Sequence, residues 1–441
     1  MAKQKLIEPE APRSKSSLLA ERLAKSFPGT LTAGELLGSY RYIDFCNPRS
    51  GNPTLAMEWL FGARGLWAGR LLNLIAKYSK GKSSFMYWMY ACAQRLASGA
   101  WCCHNETEGA PAPPDFIASY GADPDDLLMG ESRSLEEMMS WLDETEANIR
   151  GSWGTGSIDP ATGRAKKSKF TDPMDAELTQ PIVVGIDSIS ALGVENGAMM
   201  DVSDKTKTAQ PGIQSKKLRE YLSERNMRFK QRQVLLMLAS HQTDKLDMGG
   251  GGMKAKGADV NCRAKEALGI YATYEITLDS KKWCDDKPPY TQYGDIVTIR
   301  TTKNKMAPRY REIRLYLRTG SGFDFTQTDM DWLTSNPCSP FVNATLKEKY
   351  GDLTTYGAKV TCKLLQEKPF ATADEFLNAL YANKELVTSM RRDLRMRGFG
   401  FDFETKYKDQ LKKDGIIPEV KPLIPEDGVP EELDDGSDIE A

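Results

Sequence analysis

The stretch Leu71-Leu72-Asn73-Leu74-Ile75-Ala76-Lys77-Tyr78-Ser79-Lys80-Gly81-Lys82-Ser83-Ser84 passes from an apolar run into a short polar loop, and the helical run Phe85 to Leu96 follows it. Strand, loop and helix in that order present consecutive backbone N–H groups at a helix N-terminus, where they can curl around an anion. Lys82 then offers a point charge to the β- and γ-phosphates of a nucleotide, Ser83 a hydroxyl to Mg²⁺, and Gly81 the freedom to turn. Lys77, Tyr78, Ser79, Lys80 and Ser84 complete the candidate nucleotide-binding loop. Ala76 stands where such loops usually begin with glycine. Alanine serves there if φ stays negative; a positive φ would cost about 1 kcal/mol.

A phosphate site of this kind needs a second strand that ends in an acid able to hold the magnesium through water. Pro181-Ile182-Val183-Val184-Gly185-Ile186-Asp187-Ser188 has that form, so Ser83 and Asp187 are the candidate metal residues. An aspartate closing an apolar strand is also a common cap or turn residue. Further apolar runs lie at Trp101 to Cys103, Val234 to Ala239, Tyr271 to Leu278, Ile296 to Thr301 and Ile313 to Leu317, with helical periods between them. That alternation predicts an α/β fold with a mostly parallel central sheet covered by helices.

Outside this core, expected over residues 46–335, lies a small N-terminal arm over 1–45, whose amphipathic stretch Leu18 to Phe27 ends at Pro28-Gly29. A helical, base-rich C-terminal region is expected over 336–424 and a disordered acidic tail over 425–441. Residues 151 to 180 read as a long loop, a length that is usually functional or disordered. Its bases Arg164, Lys166, Lys167 and Lys169, like Arg391, Arg392, Arg395 and Arg397 near the end, are either solvated charge or a means of gathering a polyanion.

With 441 residues, 40% apolar and 27% charged, the chain can bury a large core without staples. No run of 18 apolar residues and no secretory leader is readable, which predicts a cytosolic protein without a membrane partner. Eight cysteines occur without a C-x-x-C pair, and with only His104 and His241 a histidine-rich zinc site or a Ser/His/Asp triad has little material. Residues 426–441 hold eight carboxylates and no base, leaving 53 acids against 59 bases elsewhere, a charge of +6. A basic body with an acidic tail suits a polyanion partner whose access the tail modulates, or the tail is simply solvated.

The order of these elements resembles the RecA family, including its phage UvsX-type and archaeal and eukaryotic relatives. Gly69-Arg70 enters the phosphate-loop strand as in that family, and Lys303-Asn304-Lys305-Met306-Ala307-Pro308, with Leu315 to Gly322 after it, is close to a run found there. Asn105-Glu106-Thr107-Glu108-Gly109 resembles the family's acidic turn and Leu236 to Gln242 its sensor strand. The resemblance implies a RecA-like ATPase core using ATP and Mg²⁺, with Glu108 as general base, Glu106 as the competing candidate, Phe116 on the adenine and Gln242 sensing the γ-phosphate. It places Lys303 and Lys305 across a filament interface on the neighbour's ATP. It makes Leu192 to Gln214 and Thr243 to Ala264 DNA-binding loops, in which Lys254, Lys256 and Arg263 would meet phosphates and Met253 would wedge between bases. Gly269 and Glu275 depart from the family, standing where a base and an arginine are usual.

The implied protein, bacterial or phage, is an ATP-dependent recombinase. It forms a homo-oligomeric helical filament on single-stranded DNA and exchanges it into duplex DNA, with single-strand-binding or mediator proteins as further partners. Other readings are a ring helicase or regulatory switch on the same core, and an ATP-binding DNA accessory protein that has lost hydrolysis.

Overall fold

The computed structural model describes residues 41–151, 174–175, 177–194, 213–243, 261–262, 265–285, 288–289 and 291–396. In chain order the elements are β1 (Tyr42–Asp44), α1 (Leu55–Phe61), β2 (Gly65–Trp67), β3 (Leu71–Ala76), α2 (Lys82–Gln94), β4 (Trp101–Glu106), α3 (Pro114–Ser119), β5 (Leu128–Glu131), α4 (Leu135–Arg150), β6 (Ile182–Asp187), α5 (Ile213–Gln231), β7 (Val234–Thr243) and β8 (Asn261–Cys262). They continue with α6 (Lys265–Tyr271), β9 (Tyr274–Cys284), β10 (Gln292–Asn304), β11 (Glu312–Arg318), β12 (Gly322–Asp324), α7 (Phe325–Ser335), α8 (Ala344–Tyr350), β13 (Leu353–Tyr356), β14 (Lys359–Cys362), α9 (Ala373–Ala382) and α10 (Lys384–Met396).

All seven apolar runs read from the sequence contribute strands to one sheet, ordered β12-β11-β10-β9-β3-β7-β6-β4-β5 with β8 paired to β7, although the run from Tyr271 begins in the last residue of α6 and enters β9 only at Tyr274. From β9 to β5 the neighbours run parallel; β10, β11 and β12 extend the sheet antiparallel. Every residue of β3 and β6 is buried, as a strand covered on both faces requires. Successive side chains alternate between two apolar cores. Leu72, Leu74, Val183, Leu235, Met237 and Ala239 join α2 on one face, while Ile182, Val184, Ile186, Val234, Leu236 and Leu238 meet α4 and α5 on the other. Gly185 lets α2 come close, since a Cβ there would lie 2.1 Å from the Tyr90 hydroxyl oxygen.

The described residues beyond 336 form no core of their own. Phe341, Leu346, Tyr350, Val360, Phe376 and Leu380 share the apolar core of α1, α2 and α7, and the region includes the β13–β14 hairpin as well as helices. Tyr381 donates its hydroxyl to Asp329 Oδ2 at 2.7 Å, and the Ala56 N–H donates to Oδ1 at 3.1 Å. Burial pushes the Asp329 carboxyl up to about 7. Arg391 is held in a two-pronged pair on the buried Glu58, at 2.7 and 2.6 Å, so this base joins α10 to α1 internally. Arg391→Ala should therefore destabilise the fold by on the order of 2–3 kcal/mol, read as a lower midpoint in urea with an unchanged slope. Arg392→Ala, on an exposed side chain, should shift it little.

The long loop closes on itself at its base. Asp175 accepts from the Thr179 N–H and hydroxyl, the Gln180 N–H and Arg150 at 2.5–3.0 Å. Burial raises the Asp175 carboxyl, but these donors outweigh it and hold the group well below the usual carboxylate range. Arg164, Lys166, Lys167, Lys169, residues 1–40 of the N-terminal arm, the greater part of both DNA loops with Met253, Lys254, Lys256 and Arg263, and the acidic tail lie outside the described residues, whereas the end of the arm forms β1, paired with β2, and β8 falls within the second loop.

Candidate functional site

The C-terminal ends of β3, β4, β6 and β7 open into one cavity of about 480 Å³, lined by Tyr78–Ser84, Glu106, Glu108, Phe116, Tyr120, Asp187, His241 and the turn after β11. Ligands of parallel α/β sheets bind at such strand ends. Ala76 closes β3 in the strand, and the left-handed residues of the loop are Ser79 (φ 53°) and Gly81 (φ 88°). Alanine in the first position thus carries no penalty, and Gly81 sits where a side chain would be strained. Tyr87 and Tyr120 flank Phe116 in edge-on ring contacts, with centroids 6.2 and 5.2 Å away. They build an apolar wall on one side of the cavity, with Phe116 itself half exposed.

Lys82 opens α2 and is buried. Its ammonium bonds the Lys77 carbonyl at 3.2 Å and His241 Nδ1 at 3.3 Å. Burial pulls its pKa down, and Asp187 and Glu108 offset this only in part, from longer range. A buried cation held by neutral acceptors favours an anion in the cavity. Ser83 donates its hydroxyl to Asp187 Oδ2, and burial raises the Asp187 carboxyl. Lys82, Ser83 and Asp187, read from two distant stretches, therefore meet.

The two acids of the turn after β4 differ. Glu106 is buried, with Oε1 accepting the Glu108 N–H at 2.7 Å. Glu108 is half exposed, and its Oε1 accepts from His241 Nε2 at 2.7 Å and from the Ser188 hydroxyl at 2.9 Å. Burial raises the Glu108 carboxyl, but the bonds from His241 and Ser188 more than reverse this, leaving it below the ordinary range and ionised. Among the described residues its second oxygen accepts no hydrogen bond.

His241 was not picked out by sequence reasoning, which chose Gln242. Along β7 the odd-numbered residues Leu235, Met237 and Ala239 face the α2 side where the cavity opens, and His241 continues that row. Gln242 falls on the other face, opposite Cys262 of β8, and does not line the cavity. The imidazole stacks under the exposed Tyr78 ring at 4.1 Å. Since the Lys82 ammonium donates to Nδ1, Nε2 carries the proton and donates to Glu108, which fixes the tautomer from its partners.

Lys303, near the end of β10, and Lys305, just beyond it, both turn to the C-terminal end of α6 and away from this cavity. They donate to the carbonyls of Gly269 and Ile270, capping the C-terminal turn of α6. Lys303 lies opposite Glu275, which lies opposite Asn73, whereas the phosphate loop begins after Ala76; the offset is on the order of 10 Å along the strand. Lys80 also turns outward, to Asp279 and the Ser280 carbonyl of β9. Glu275 has an internal reason to be acidic, since Asn73 Nδ2 and the Thr302 hydroxyl donate to it at 3.3 and 2.8 Å.

Comparison with curated proteins gives a likeness over 269 residues to the protein RecA of Methylobacterium sp. (strain 4-46), 22% identical across 61% of this chain and 62% of that one. This chain is similar to RecA. The RecA protein of Methylobacterium radiotolerans matches over the same shares at 21% identity, so the chain spans about 62% of the length of the curated relatives it matches. No family model matches the sequence. The likeness, the mostly parallel sheet and the loop at the end of β3 together support a RecA-like core. No helix of the described residues is long and apolar enough to cross a membrane.

Proposed function

We propose that this protein is a DNA-stimulated ATPase of the recombinase type, which assembles on single-stranded DNA and pairs it with homologous duplex. The observation that carries this reading is the meeting of Lys82, the Ser83–Asp187 pair, Glu108 and His241 in one cavity at the strand ends. The donor set fits MgATP. Lys82 needs an anion, while Glu106, Glu108 and Asp187 would repel a bare triphosphate unless a cation stood between them. Ser83 and Asp187 are the residues that would hold Mg²⁺ alongside phosphate oxygens, and the ion would neutralise charge developing on the phosphates.

The residues divide the work by position. The N–H groups of the loop and Lys82 bind the phosphates, and Phe116 with Tyr120 offers the base an apolar wall. The free oxygen of ionised Glu108 orients the attacking water and takes its proton. His241 joins this base to Lys82. When a γ-phosphate draws the Lys82 ammonium, Nδ1 loses its donor, and the change is felt at the end of β7, from which the glycine-rich loop containing Lys254 and Lys256 departs. Nucleotide affinity and DNA affinity then rise together, by reciprocity.

Lys303 and Lys305, remote from the cavity of their own chain, are suited to reach the nucleotide of a neighbour. Lys303→Ala and Lys305→Ala should each lower turnover by about 10²-fold in the DNA-bound assembly and leave the dispersed protein unchanged. Equal loss in both states would remove the trans role. The function itself is tested by electron microscopy with single-stranded DNA and ATP, together with a strand-exchange assay. Helical filaments and joint molecules are expected; closed rings would favour a helicase, and filaments without exchange an accessory protein.

A further inference from the structure

Two of the eight cysteines touch. Cys46, just after β1, lies with its Sγ 3.6 Å from Sγ of Cys92, in the last turn of α2, and both are free thiols. The contact is braced on either side. Trp88 Nε1 donates to the Cys46 carbonyl at 2.9 Å, and Arg95 donates to the Pro48 carbonyl at 2.6 Å, so the segment 46–48 is strapped along α2. The two thiols differ in access: Cys46 is partly exposed and Cys92 is buried. They also differ in acidity. The hydrogen bond shared with Cys92, helped by Arg95, lowers the Cys46 thiol against the effect of burial, whereas burial raises Cys92. Cys102 and Cys103 are neighbours on β4, point to opposite faces of the sheet and cannot pair.

We propose that Cys46 and Cys92 form a redox-active dithiol that takes a small disulfide as its oxidant, with Cys46 as the attacking thiol and Cys92 as the resolving one. The Cys46 thiolate attacks one sulfur of glutathione disulfide, forming a Cys46–glutathione bond and releasing one glutathione thiolate, which takes up the proton Cys46 gave to solvent. Cys92, already in contact, then loses its proton and attacks the Cys46 sulfur, expelling the second glutathione as thiol. The net change is oxidation of two protein thiols to one disulfide and reduction of one glutathione disulfide to two thiols. The new bond staples the segment after β1 to the helix that carries the phosphate loop, closing a chain loop that contains α1, β2 and β3, and should raise the thermal midpoint by a few degrees. None of this depends on what the cavity binds.

The test is a peptide map of the full chain, unfolded under non-reducing conditions after incubation with glutathione disulfide. Wild type should yield the Cys46–Cys92 cross-link without glutathione. Cys92→Ser should keep glutathione on Cys46, Cys46→Ser should leave Cys92 unmodified, and both variants should lose the oxidation-dependent rise in melting temperature. Glutathione remaining on Cys46 in wild type, or a Cys92 thiol still free, would overturn the proposal, and that result needs neither variant to fold.

Discussion

Lys82→Ala should lower ATP turnover by roughly 10²–10³-fold, the loss expected when a fixed donor to transferring phosphate oxygens is removed. The reason lies in the charge balance of the cavity. Glu106, Glu108 and Asp187 all line it, and Lys82 is the buried cation that faces them. Without it the cavity rejects a triphosphate, and nucleotide affinity should fall together with kcat. Stability should move the other way. Burial holds the Lys82 pKa below its ordinary value, so its charged form is less favourable in the fold than in the unfolded chain, and the alanine variant should melt no lower than wild type. Lys80→Ala is the control, because its ammonium is engaged by Asp279 and the Ser280 carbonyl. Hydrolysis and calorimetric melting on the same samples check both halves; turnover within tenfold of wild type would remove Lys82 from the phosphate site.

Glu108→Gln should reduce kcat by roughly 10²–10⁴-fold, the range of a lost general base, while ATP still binds. The amide oxygen can accept the same bonds from His241 and the Ser188 hydroxyl, so the ring stays in place and only proton acceptance is lost. Glu106→Gln should cost less, since that carboxylate is occupied by the Glu108 N–H. Pre-steady-state hydrolysis separates the two. If the Glu106 variant is dead and the Glu108 variant active, the roles are reversed.

Much of this is legible in the amino-acid sequence alone. Strands buried on both faces, such as β3 and β6, read as unbroken apolar runs, and the partly exposed β9, β10 and β11 still carry apolar stretches of strand length, which is why these strands could be placed from sequence. The meeting of Lys82 with Asp187 was legible for a similar reason, because Asp187 closes β6 and Lys82 opens the helix that follows the loop after β3, both at the same end of one parallel sheet. What escaped notice depends on which face a residue takes. His241 and Gln242 are adjacent polar residues at the end of β7, and only the side covered by α2 decides between them; counting in twos from Leu235 and Met237 would have picked His241. Strands of two or three residues, such as β8 and β12, are too short to show a period. The Arg391–Glu58 pair joins residues more than three hundred positions apart, so local charge patterning read Arg391 as part of a basic helix and missed its partner. The same holds for Cys46 and Cys92, whose spacing carries no motif.

The most direct measurement is ATP hydrolysis by the full chain with and without single-stranded DNA, at a low and a high salt concentration. Turnover should rise when DNA is added, and the rise should shrink at high salt, because contacts to DNA phosphates release counterions and weaken as ionic strength increases. A rate that is the same with and without DNA at both concentrations would contradict the coupling of this cavity to a nucleic-acid partner.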